Sequence, residues 1–253
     1  IRHPSSSKMK PFFKSILSTP SFAAFYLGLC SFGLYALTGA RTIQWQDSAQ
    51  FTYRITSGTL WNEYGLAMVH PLHFWVGRLM LWGFPGPDPW AVSLVSALGG
   101  AFAVGLVFLC GFHITQNKSA AFLGALTLML AHSFWRFSGL PEVYTLSAAL
   151  MLAQVFCFLK QQACDRPEYW WGIFFLNGLA LANHNLALLS LSVWGISFLC
   201  WVARRKGRWK QLPVIAVCWG LGAFPYILLV LLEIRNTGDP ARVIQSALFG
   251  HGF

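Results

Sequence analysis

The amino-acid sequence predicts an all-α polytopic membrane protein with about seven transmembrane helices and interfacial helices in a long first outer loop. Three observations predict it. The 253 residues are 56% hydrophobic, 16% aromatic and only 10% charged, with a mean hydropathy of +0.54, whereas soluble domains carry about 25% charged residues. Apolar runs near the roughly 20 residues that a bilayer crossing needs occur at 19–39, 66–83, 90–112, 119–135, 142–160, 168–186, 187–203 and 211–233. The cations cluster between those runs, as loop charges do.

The first run follows "MKPFFK", a basic start at Met9, so residues 1–8 read as upstream sequence and 19–39 as a retained helix. Lys10 and Lys14 place the N-terminus in the cytoplasm. Eight crossings break the alternation of sides, and removing one early run restores it. Residues 66–83, in "HPLHFWVGRLMLWGFPGPDP", carry two histidines, Arg78 and a Pro/Gly-rich exit. They suit an amphipathic helix lying at the interface. The remaining seven runs then span, residues 40–89 form the outer loop, and 1–253 reads as one transmembrane module.

With that topology Lys118, Lys160, Arg166, Arg204, Arg205, Lys206, Arg208 and Lys210 fall inside. The outer face keeps six cations, Arg41, Arg54, Arg78, Arg136, Arg235 and Arg242, all of them arginine. Arginine offers a planar fork that pairs bidentately with phosphate or carboxylate, so the pattern points to an anionic ligand, or to arginines that reach lipid headgroups. The net charge of +10, dispersed in this way, argues against nucleic acid. Six cysteines, at 30, 110, 157, 164, 200 and 218, lack CxxC or ligand spacing. Neither disulfides nor a metal site is expected.

Five acids lie toward the outer face: Asp47, Glu63, Asp88, Glu142 and Asp239. Asp88 in "GPDPW" reads as a turn residue, and Glu63 in "WNEYG" as solvated loop. Glu142 in "LPEVYTL" sits where a carboxylate favours a helix N-terminus, so capping and ligand binding both remain open. Asp47 in "QWQDSAQF" has neither proline nor glycine beside it. Asn183, His184 and Asn185 interrupt apolar sequence in "ALANHNLALL", and fit either a site or a hydrogen-bonded helix contact.

"WQDSAQF", "HPLHF" followed by "GRL", "FWRFSGLPEVYTL", "GLALANHNLALL", "AFPYILL" and "NTGDP" occur in the order and spacing of a membrane glycosyltransferase family related to eukaryotic transmembrane protein O-mannosyltransferases. The chain resembles that family over nearly its whole length. The resemblance implies a GT-C class fold, with a core of seven spans, interfacial helices in a long first outer loop and an active site facing the lumen or periplasm. Relatives continue with further spans and often a soluble domain.

The implied reaction moves a sugar from a polyprenyl-phosphate donor to an acceptor, often a Ser or Thr hydroxyl, with the lipid-linked sugar as donor substrate and no cofactor. The family's G-x-D-S-G-E motif places its Asp on Asp47, the implied general base. Gln50, His70, Glu142, His184 and Asp239 fall on or beside family motifs, and Arg54, Arg78 and Arg136 would neutralise donor phosphate. Three departures stand out: Ala49 for Gly, Gln50 for Glu, and "HPLHF" where "HPPGYP" is expected. Glutamine cannot take a proton, so a second reading stays open, a catalytically silent member of the fold acting as a scaffold in a membrane complex. Implied partners are membrane lipids, the lipid-linked sugar, a protein or glycan acceptor and partner membrane subunits. The implied setting is a bacterial inner membrane or the ER.

Overall fold

The computed structural model describes residues 19–61, 65–204 and 207–250. Lys10, Lys14, Glu63, Arg205 and Lys206, which carry sidedness or loop expectations, lie outside those residues. Eleven α-helices and two 3-10 turns make up the described chain, with no strand among them. α1 (Pro20–Thr38), α4 (Asp88–Thr115) and the segment Arg208–Thr237, a 3-10 turn leading into α10 (Leu212–Thr237), are long and apolar enough to cross a membrane. α1, α4 and α10 each open with proline in the first turn, where its missing N–H costs nothing. Asp88, expected in a turn, is the first residue of α4, where the helix dipole favours a carboxylate.

The expected span 119–135 is two helices, α5 (Lys118–Leu130) and α6 (His132–Ser138), bent by 64°. No proline causes the break. The Tyr35 hydroxyl donates to the Met129 carbonyl at 2.9 Å, and Trp135 Nε1 donates to Thr38 Oγ1 at 2.8 Å. Ala40 N–H bonds the Gly139 carbonyl at 2.8 Å. These ties fasten the last turn of α5 and the whole of α6 to the end of α1, and the turn geometry at Ala131 absorbs the change of direction.

α7 (Tyr144–Cys164), α8 (Pro167–Asn183) and α9 (Ala187–Ala203) follow. α4 is central, packing on α1, α7 and α5, while α8 packs on α7, α9 and α10. Glycine permits the closest crossing: a Cβ added at Gly178 would stand 2.3 Å from the Trp219 carbonyl oxygen, and one at Gly222 2.2 Å from that of Phe175. Membrane helices use small residues in this way to bring backbones together. The polar residues of α7 and α8 that dilute their hydropathy are spent between helices. Gln154 Oε1 accepts from Trp194 Nε1 at 2.7 Å and Asn177 Nδ2 at 3.3 Å, and Asn177 Oδ1 accepts from Trp219 Nε1 at 3.1 Å.

Within residues 40–89 the chain forms α2 (Asp47–Ser57), a 3-10 turn at Leu66–Met68 and α3 (Pro71–Gly83). At about 1.5 Å per residue, the 13 residues of α3 reach about 20 Å, short of the ~30 Å hydrocarbon core. Trp45, Tyr53, Trp75 and Trp82 are exposed on this layer, the residue types that membrane interfaces favour. After α10, α11 (Pro240–Phe249) returns over the same end, where Ser246 Oγ accepts from Leu66 N–H at 3.0 Å.

Candidate active site

Asp47 is the first residue of α2 and is exposed, at the helix end whose partial positive charge favours a carboxylate. Gln46 before it has φ +54° and ψ −128°, a conformation that a side chain rarely adopts and that strain-bearing functional segments often show. One residue on, the buried Ser48 hydroxyl donates to Glu142 Oε1 at 2.6 Å. Glu142 stands in the connection before α7, with its main chain held by Ser96: N–H to Ser96 Oγ at 3.0 Å, and Ser96 Oγ to its carbonyl at 2.8 Å. Glu142 is 7% exposed and its Oε2 is buried without a hydrogen-bond partner. Burial raises its pKa, the charge of Asp47 raises it further, and the Ser48 bond opposes both.

His70 enters α3 with φ +52°. Its Nδ1 lies 2.7 Å from the Asn183 carbonyl, which assigns the proton to Nδ1 and leaves Nε2 an acceptor. His184, in the break after α8, accepts Leu186 N–H on Nδ1 at 3.1 Å, so its own proton belongs on Nε2. The two ring centres are 5.1 Å apart. Burial lowers the pKa of His184, and that of His70 falls to about 4 through burial, reinforced by the charges of His184 and Arg54. Two neutral imidazoles thus offer one acceptor and one donor side by side. Tyr144 stands 6.4 Å from His184 and 5.4 Å from Phe137, between ring centres. Asn183 links the two halves, its Nδ2 donating to the Val143 carbonyl at 3.0 Å and to Ser147 Oγ at 2.8 Å.

Asp47, Glu142, His70 and His184 are therefore joined by a continuous set of contacts at one end of the bundle. The arginines divide differently. Arg54 is 4% exposed, and its fork donates to the carbonyls of Met68 at 3.0 Å, Val69 at 2.9 Å and Leu60. It ties the loop before α3 to α2, so its side chain is committed to the backbone. Arg78 donates to the carbonyls of Ile55 at 2.9 Å and Thr56 at 3.3 Å, closing the C-terminal end of α2. Arg136 is exposed, and its side chain forms no hydrogen bond or ion pair among the described residues. Asp239 caps α11 through Arg242 N–H at 3.1 Å. Gln50 is half-buried on α2.

Sequence reasoning passed over Ser48, Ser96, Tyr144 and Phe51. Ser48 and Tyr144 lie inside quoted motifs, and i, i+3 spacing puts His73 on the His70 face of α3. His73 is wholly buried with neither nitrogen hydrogen-bonded, in a void with no room for water beneath Phe51 and Phe74. Its pKa is pushed down to about 3, mainly by burial. A cavity of about 400 Å³ lies elsewhere, an apolar groove between α1 and α4 lined by residues such as Phe25, Gly28 and Gly105. Ser21 is the one polar side chain among its described lining residues, with no acid or base beside it. Among the described residues no three His, Cys, Asp or Glu side chains are placed to hold a metal ion.

An all-helical membrane protein with an exposed carboxylate beside a buried acid and a histidine pair is the class that fold and geometry define. Residues 64–210 match the family model described as Protein O-mannosyl-transferase TMEM260 N-terminal domain. That is more than half of the 253 residues, and the chain belongs to this family. No curated protein and no solved structure matches it.

Proposed function

We propose that this protein is a membrane glycosyltransferase that moves a sugar from a polyprenyl-phosphate donor to a Ser or Thr hydroxyl of a protein, with Asp47 as general base. Membership of a family described as a protein O-mannosyl-transferase supports mannose as the sugar. The observation that carries the reading is the placement of Asp47, which is exposed at the start of α2 and bonded through its neighbour Ser48 to Glu142. In this reading Asp47 takes the acceptor hydroxyl proton as the oxygen attacks the anomeric carbon, and the bond to the donor phosphate breaks with the electron pair leaving on phosphate. Arg136, whose side chain has no hydrogen-bond or ion-pair partner among the described residues, suits the phosphate. His70 Nε2 and His184 Nε2–H suit one sugar hydroxyl as acceptor and donor.

The topology that goes with it has seven spans, α1, α4, α5 with α6, α7, α8, α9 and α10, with the N-terminus in the cytoplasm. α2, α3 and α11 then lie on the outer or lumenal face. The alternation of positive loops supports this, as does the short length of α3. The test is transfer of labelled mannose from polyprenyl-phosphate mannose to a Ser/Thr peptide by the membrane-embedded chain. Incorporation that Asp47→Asn abolishes supports the proposal. No incorporation, together with loss of partner chains from Asp47→Asn membranes, supports the scaffold that Gln50 in place of glutamate suggests.

A further inference from the structure

At the opposite end of α7 from Glu142, about 30 Å away by the rise of its 21 residues, a second polar site is built. A cavity of about 250 Å³ is lined by Gln161, Gln162, Asp165, Trp201, Arg204 and Arg208. Its walls are fixed before any ligand arrives. The Arg208 guanidinium lies 4.1 Å over the Trp201 ring, donates to the Trp201 carbonyl at 2.9 Å and pairs with Asp165. Trp201 Nε1 donates to Asp165 Oδ1 at 2.6 Å. Gln161 is 2% exposed, and its Oε1 accepts from Gln162 Nε2 at 2.8 Å.

Asp165 consumes one of the two guanidinium charges. Arg204, at the end of α9, is exposed, and its side chain forms no hydrogen bond or ion pair among the described residues. The cavity thus keeps one net positive charge, a free planar fork and amide groups, a set that matches a phosphate diester. Ile196 and Leu199, which precede Arg204 on α9, are exposed apolar side chains. An ordered basic pocket where helices leave the membrane is the setting in which anionic headgroups are held. We propose that this cavity binds the phosphate headgroup of an anionic phospholipid, on the cytoplasmic side in the topology given above. The site is separate from the transfer site and does not depend on catalysis.

The test is thermal unfolding of the purified full chain in an uncharged detergent, titrated with phosphatidylglycerol, phosphatidylcholine or inorganic phosphate. Phosphatidylglycerol should raise Tm saturably, and the other two should not. Arg204→Gln should keep the lipid-free Tm, because the side chain bonds to nothing among the described residues, but need about tenfold more phosphatidylglycerol, the loss expected for one charge-assisted hydrogen-bond pair. Arg235→Gln, in the last turn of α10 at the other end, should respond as the parent does. An equal response to phosphatidylcholine, an unshifted Arg204→Gln titration, or a shift produced by Arg235→Gln instead would overturn the proposal. If inorganic phosphate alone reproduces the effect, the site reads free phosphate and the lipid assignment fails.

Discussion

The Ser48 hydroxyl donates to Glu142 Oε1 at 2.6 Å across 94 positions of sequence, and that bond locks the start of α2 against the entry to α7. It fixes where Asp47 stands. Replacing Glu142 by Gln keeps an acceptor for Ser48 and should leave the fold intact. Replacing Ser48 by Ala strands Glu142 Oε1 beside an Oε2 that already lacks a partner, a penalty of about 1–3 kcal/mol. Thermal unfolding of both variants in detergent should show Ser48→Ala as the less stable. The reverse order would mean that the bond does not organise this corner.

Stability should fall as the medium is acidified. His70 titrates at about 4 and His73 at about 3 in the folded chain, whereas free histidine titrates near 6.5. Between those values the unfolded chain binds more protons, so stability is full above about pH 6.5 and declines through about pH 4. Glu142 acts in the opposite sense, since its raised pKa favours the folded chain at low pH and withdraws that support as pH rises. His184, whose pKa burial also lowers, acts in the same sense as His70 and His73; three histidines outweigh one acid, so Tm measured from pH 7 down to 4 should drop, and His73→Phe should flatten the slope. A flat parent profile would contradict the buried neutral histidines.

Asn177 joins α8 to three other helices through Gln154, Trp219 and Ser190 Oγ, the last at 2.9 Å. Asn177→Leu leaves Gln154 and Trp219 short of partners inside the bundle and should cost about 1–3 kcal/mol, read as a lower Tm. Gly178→Val, one residue on, should cost a similar ~1–3 kcal/mol by overpacking against the Trp219 carbonyl. Unchanged Tm in both would mean that this crossing is not the rigid centre.

Single cysteines at positions 85 and 116, in a chain whose native cysteines are replaced by alanine, flank α4. A membrane-impermeant maleimide added to sealed vesicles should reach only one of them. Labelling of both from one side would remove α4 as a span and with it the seven-span topology.

Periodicity and charge made the helices readable because a bilayer imposes length and apolarity on any crossing. α1, α4 and α10 follow the expected runs within a few residues. The break between α5 and α6 was not readable, since its cause is Tyr35 and Trp135 bonding to partners about 95 positions away. Asp47, His70, Glu142 and His184 were readable as polar residues at the ends of apolar runs. The arginines were harder: charge alone cannot distinguish Arg54, spent on three carbonyls, from Arg136, which has no such bonds. Gln154 and Asn177 drew no notice because single amides in apolar helices give no pattern until the helices are packed together.

In the proposed reaction Asp47 is the base. Asp47→Asn preserves size and hydrogen bonding and removes basicity, so transfer of mannose from polyprenyl-phosphate mannose to a Ser/Thr peptide should fall by at least about 10²-fold, with Tm unchanged because the side chain is exposed. An Asp47→Asn protein that transfers sugar at the parental rate would contradict that role.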